Sequence, residues 1–215
     1  MVRKICCLLK KEFSVEYAGN RTFIQIISLS AISVFIASYI PVISGFRPDY
    51  SLIFWITVFF TVFSGLDKIF RYETDRNNMK FCLQYYSCEE IVTAKFIFNV
   101  MAVMFTETVI FLICCFFNNF TFVSASGSFV LIIISSISIS ASTVFSALIS
   151  SKTNTGFLFS ISALPVIFPL LLIFFRIDVF SFSEVFTKNL FLILLLGVFY
   201  FIVALKLSPF IIKED

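Results

Sequence analysis

From about residue 22 onward the chain alternates long apolar runs with short polar segments. Six runs stand out, at 22–44, 50–66, 95–117, 128–150, 156–175 and 187–207. About 20 apolar residues in a helix cross a hydrocarbon core of roughly 30 Å, and these runs approach that length. A closed barrel is the other way to satisfy every backbone group in lipid, but its strands alternate apolar and polar residues over about 10 positions. The stretches 129–134 and 191–198 do not alternate. The pattern therefore predicts an all-α membrane protein with six transmembrane helices in a single domain over 1–215.

Composition agrees: 60% of the residues are hydrophobic and 13% charged, against roughly 45–50% and about 25% in soluble domains. A water-soluble globular protein is excluded. The distribution of the 16 basic residues sets the expected orientation, because Lys and Arg in short loops stay in the cytoplasm. Thirteen fall on one side: Arg3, Lys4, Lys10, Lys11 and Arg21; Lys68, Arg71, Arg76, Lys80 and Lys95; and Lys152, Lys206 and Lys213. Three, Arg47, Arg176 and Lys188, fall on the other. Both termini are thus expected in the cytoplasm, which requires an even number of crossings. The net charge of +3 then reflects topology, and no basic domain remains for nucleic acid.

Residues 1–20 are too polar to cross. Val2, Ile5, Leu9 and Phe13 recur at near-helical spacing beside Lys4, Lys10 and Lys11, which predicts an interfacial helix with its apolar side at the headgroup boundary and its lysines on anionic lipid. Glu12 and Glu16 interrupt any signal-peptide pattern, so the first crossing is expected to be retained. The six cysteines, at 6, 7, 82, 88, 114 and 115, fall in cytoplasmic or membrane positions and are read as small apolar fillers without disulfides.

The polar segment 67–90 exceeds an ordinary connection in length. Asp67, Lys68, Arg71, Glu73, Asp75 and Arg76 follow one another closely, and then Phe81, Leu83, Tyr85 and Tyr86 restore apolar character. It is either a solvated connector or a short helix across the cytoplasmic face that offers charges and aromatics to a soluble partner. Ser87 and Glu90 have capping-box spacing, which starts the third crossing helix near Cys88. On the opposite side, 177–186 alternates Phe180, Phe182 and Phe186 with polar residues, repeats the capping-box spacing at Ser181 and Glu184, and predicts an outer interfacial element.

Three polar features lie within the crossings. Glu107 is mid-span between Thr106 and Thr108, where an ionisable group costs about 2.5 kcal/mol or more. No Lys or Arg is expected at matching depth, so Glu107 either hydrogen-bonds a neighbouring helix in protonated form, lines a substrate path or meets a partner subunit; a structural or subunit-contact role is favoured. Ser138, Ser142, Ser146 and Ser150 recur every four residues, a stripe read as close helix packing, with a hydrophilic conduit as the weaker option. Pro165 and Pro169 predict a kink or partial unwinding of the fifth crossing helix.

Catalytic chemistry is not legible. The chain has no histidine, no P-loop, no Gly-rich phosphate cradle and no carboxylates clustered near a nucleophile, so it is not expected to hydrolyse ATP itself or to bind a cofactor or metal. Its four methionines, Met1, Met79, Met101 and Met104, are its only thioethers, which argues against tight haem ligation by this chain alone.

The order of parts, an interfacial N-terminal helix, six crossings and a charged loop after the second, resembles the permease subunits of ABC-2 type transporters. A closer resemblance is to the haem exporter protein B (CcmB) family of cytochrome c maturation, over nearly the whole chain. Gly65-Leu66-Asp67-Lys68-Ile69-Phe70-Arg71 resembles that family's entry into its cytoplasmic loop. Ala94-Lys95 resembles the start of its third helix, and Leu164-Pro165-Val166-Ile167-Phe168-Pro169 its LPxxxP pattern. Leu9-Lys10-Lys11-Glu12-Phe13 resembles its elbow helix. Arg76-Asn77-Asn78 stands where the family tends to have Asp-Gly, so the resemblance is weaker inside the loop.

The resemblance implies a bacterial inner-membrane complex with a CcmA-like ATPase, CcmC-like and CcmD-like membrane subunits and a CcmE-like haem chaperone, with room for two copies of this chain. Haem would be the ligand transported or handed over, and Asp67, Lys68, Arg71, Glu73, Asp75 and Arg76 would face the ATPase. Two other readings remain: an ABC-2 type exporter permease for another amphipathic substrate such as a lipid or drug, and a non-transporting membrane scaffold.

Overall fold

The computed structural model describes residues 2–19, 28, 30–36, 39, 49–66, 78–118, 125–150, 156–177, 179 and 188–212. Among the described residues, helices with both ends defined are α1 (Val2–Gly19), α2 (Tyr50–Leu66), α3 (Asn78–Tyr85), α4 (Cys88–Asn118), α5 (Ala125–Ser150), α6 (Gly156–Phe174) and α7 (Lys188–Ile212). Most of the expected first crossing lies outside the described residues, although 30–36 is helical. The charged stretch 67–76 and most of the outer element 177–186 also lie outside them.

Among the described residues three helices are long and apolar enough to cross a membrane, at Cys88–Phe116, Gly127–Ser150 and Asn189–Ile212, with shorter apolar helices at Tyr50–Val62 and Leu164–Phe174. At 1.5 Å per residue, the 17 residues of α2 give about 25 Å and the 31 of α4 about 46 Å. α4 is therefore longer than a bilayer core. Its first two turns, with Glu89, Glu90 and Lys95, precede the apolar part.

The start of α4 is fixed locally. The Ser87 N–H donates to Glu90 Oε2 at 3.0 Å, and the Glu90 N–H donates to Ser87 Oγ at 3.2 Å. This reciprocal cap satisfies two amide donors that the first turn would otherwise leave open. α2 begins in a similar way, with the Ser51 and Leu52 amides donating to Asp49 Oδ1 at 3.1 and 3.2 Å.

α5 is the centre of the bundle and packs against α4, α6 and α7. Its residues from 138 to 144 are buried without a break. The small-residue stripe explains the close packing. A Cβ on Gly197 of α7 would stand 2.6 Å from Ser138 Oγ and 2.8 Å from Ser138 Cα, so the two helices touch backbone to backbone there. Three of the serine hydroxyls turn back on their own helix. Ser142 donates to the Ile139 carbonyl at 2.8 Å, Ser146 to that of Ser142 at 2.8 Å and Ser150 to that of Ala147 at 3.0 Å, all within their own helix.

α6 stays helical through both prolines, so the backbone over 164–170 is not unwound. Pro169 has no N–H to give the carbonyl four residues back. On the next residue, the Val166 carbonyl accepts a bond from Tyr200 Oη of α7 at 2.9 Å, and Tyr200 stacks on Phe145 of α5.

Candidate functional site

Two polar regions of the described chain could do more than hold helices together. One lies at the base of the bundle, where α1, α3 and α4 meet. Leu8 of α1 is buried against Ile91 and Ala94 of α4, with Ile5, Cys82, Leu83 and Tyr86 packed around them. Ile5 and Leu8 of α1 thus pack on α3 and α4, while Phe13 of the same apolar stripe is 43% exposed. An amphipathic stripe reads the same whether lipid or protein covers it.

Two of the lysines expected to meet anionic lipid make protein contacts. Lys4 Nζ donates to the Tyr85 carbonyl at the end of α3 at 3.0 Å, and Lys11 Nζ lies 3.6 Å from Cys82 Sγ. Arg3, Cys6, Cys7 and Lys10 remain exposed on the other side of α1. Below them Lys95, 3% exposed, pairs with Glu12, 17% exposed, at 3.3 Å, and Phe13 meets Phe98 edge-on with centroids 5.1 Å apart. The Leu9–Phe13 and Ala94-Lys95 stretches, far apart in sequence, are joined here. Tyr85, 69% exposed, stands at the C-terminal end of α3.

The second region is a polar seam between α4 and α5. Glu107 is 0% exposed, and Ser135 Oγ donates to its Oε2 at 2.8 Å. Asn99 Nδ2 donates to Thr143 Oγ1 at 2.7 Å. The two rungs are eight residues apart along each antiparallel helix, about 12 Å, with buried Val103 and Ile139 at the halfway register. Glu107 is enclosed by the chain's own helices, and among the described residues its Oε1 has no hydrogen-bond partner. Ser135 is the partner that a search for cations at matching depth overlooked.

Other expected residues fall elsewhere. Asp67, Lys68, Arg71, Glu73, Asp75 and Arg76 lie outside the described residues, although α3 places a short helix in the second half of their segment. Pro165 and Pro169 are both on α6. Met101 and Met104 are on the exposed stripe of α4 with Phe105, Leu112 and Phe116. Among the described residues no group of three or more Cys, Asp or Glu could hold a metal ion. Sequence reasoning also missed a cluster just beyond α6, where Ser51 and Trp55 of α2 and Ser128 of α5 bond the backbone of 177 and 179. The one signal for it was a lone Trp near the end of an apolar run.

A family model described as CcmB protein matches residues 6–214, essentially the entire chain. The chain belongs to the CcmB family. CcmB proteins are permease-type membrane subunits of haem export in cytochrome c maturation and belong to a system with ABC-type partners. No curated protein and no solved structure matches the chain. The helix starting at Cys88 and the α1–α4 contact occupy this CcmB chain where its resemblance-bearing stretches meet.

Proposed function

We propose that this chain is the non-catalytic permease subunit of an inner-membrane ABC complex that couples a CcmA-like ATPase to haem transfer or to release of a haem-loaded CcmE-like chaperone. CcmC-like and CcmD-like subunits complete the complex. The observation that carries this reading is the family match over 6–214. The charge distribution supports six crossings with both termini in the cytoplasm, placing 67–90 on the ATPase side.

In this reading Asp67, Lys68, Arg71, Glu73, Asp75 and Arg76 receive the ATPase, with α3 as the C-terminal part of the receiving surface. α1 braces that surface. Its Lys4 and Lys11 hold α3, and its Glu12 holds the base of α4, so motion of the ATPase-facing segment reaches the long α4 helix directly. Haem is cargo of the complex and not a resident group of this chain. The chain has no histidine, and the described Met101 and Met104 face outward on the apolar stripe of α4.

Charge reversal at Asp67 and Arg71 tests the assignment. In the reconstituted complex, the double reversal is expected to leave membrane insertion intact while ATP turnover no longer drives chaperone release. Unchanged coupling would remove these residues from the ATPase interface.

A further inference from the structure

Residues 177 and 179 follow α6 without continuing it. The last turn tightens, with the Arg176 and Ile177 amides donating to the Ile173 and Phe174 carbonyls at 3.1 and 3.0 Å. Beyond that point the backbone polar groups depend on other helices. The Ile177 carbonyl accepts from Trp55 Nε1 at 3.1 Å and from Ser51 Oγ at 3.1 Å. The Val179 N–H donates to Ser51 Oγ at 2.9 Å, and the Val179 carbonyl accepts from Ser128 Oγ at 2.8 Å.

Ile177 and Val179 are themselves buried, and the bonds from Trp55 and Ser128 form where water does not compete, while the two on Ser51 are part-buried. The Trp55 ring is held in place by stacking on Phe174 at 4.3 Å and by an edge contact with Phe54 at 4.9 Å. Trp55 is the only tryptophan in the chain. Three of the four bonds come from α2 and one from α5. The strap is covalently an extension of α6, yet its polar fastening is chiefly to α2.

α2 ends at Leu66, immediately before the charged stretch 67–76, and toward its other end carries Ser51 and Trp55, about 23 and about 17 Å from Leu66. A helix transmits displacement along its axis because its own hydrogen bonds resist stretching. We infer that Ser51 and Trp55 are positioning residues that tie the outer 177–179 strap to α2, so that displacement of the 67–76 segment by the ATPase moves this strap on the far side of the membrane. The inference rests on the ATPase-facing role proposed above for that segment.

Hydrogen–deuterium exchange with mass spectrometry on the whole complex in nanodiscs reads the linkage, since the Val179 amide is one of the bonded groups. Peptides covering 67–77 and 175–186 are compared without nucleotide and with a non-hydrolysable ATP analogue. The expected result is an exchange change of about five-fold at both peptides. In the Ser51→Ala, Trp55→Phe double variant the loop response persists and the strap response is lost. Trp55→Phe keeps the ring stack, and Ser51→Thr, which keeps the hydroxyl, restores the response when the indole is present; a purely structural role would not give this pattern. A loop response without a strap response in the native chain overturns the linkage alone, as does a strap response that survives the double variant. No response at either peptide overturns the ATPase-facing reading and the linkage with it.

Discussion

The α4–α5 seam and the strap at residues 177 and 179 are both polar contacts in a mostly apolar protein, and they are built in opposite ways. In the seam, side chains bond side chains between two long helices whose backbones are already satisfied: Glu107 with Ser135, Asn99 with Thr143. In the strap, side chains bond a backbone that has left its helix. The seam fixes how α4 and α5 register against each other. The strap satisfies a non-helical segment, which deep in lipid would cost several kcal/mol for each open group. Polar contacts of the first kind make a rigid body, and those of the second make a joint whose partner is chosen by a few side chains.

The rigid body breaks most readily at its closest approach. Gly197→Leu places a side chain where even a Cβ would lie 2.8 Å from the Ser138 Cα, and backbone cannot yield cheaply. A loss of about 3 kcal/mol is expected, at the upper end for overpacking, read as a lower thermal midpoint in mild detergent by circular dichroism. A change near zero would mean that α5 and α7 can separate without cost.

Glu12→Ala should have the next largest effect, because it leaves the nearly closed Lys95 ammonium without this carboxylate. Breaking a buried pair costs 3–5 kcal/mol, and the partial exposure of Glu12 lowers the expected loss to about 2 kcal/mol. Limited proteolysis should then release α1 while the remaining helices stay protected. Protection of α1 equal to that of the native chain would show that Leu8 and its neighbours hold α1 without the ion pair.

The smallest effect is expected at the seam. Glu107→Ala should cost about 1 kcal/mol, within the range for interhelical bonds in membranes, while Glu107→Gln keeps an acceptor for Ser135 and stays near the native midpoint. A double-variant cycle with Ser135→Ala isolates the pair. Additive losses would show that the seam bond contributes nothing beyond its separate parts.

Much of this was legible along the chain because it is local or periodic. The Ser87–Glu90 cap needs only three residues of spacing, and it forms as expected. The serine stripe needs only a four-residue repeat, although Gly197, which completes it, lies on another helix. Glu107 was visible as an expensive group mid-span, but Ser135 was one serine among many and carried no charge to mark it. The α1 stripe was visible as amphipathic, while its cover of Ile91 and Ala94 depends on how α4 folds back beside it. The strap was hidden because its acceptors are backbone carbonyls, which every residue has, brought to Ser51 and Trp55 across more than 120 positions.

The central claim is that this CcmB-family chain works inside an ABC haem-delivery complex, and a mild-detergent purification with mass spectrometry of the retained proteins tests it most directly. Recovery of an ABC ATPase together with a CcmC-like membrane protein is the predicted result. Recovery of the intact chain without any ATPase would contradict it.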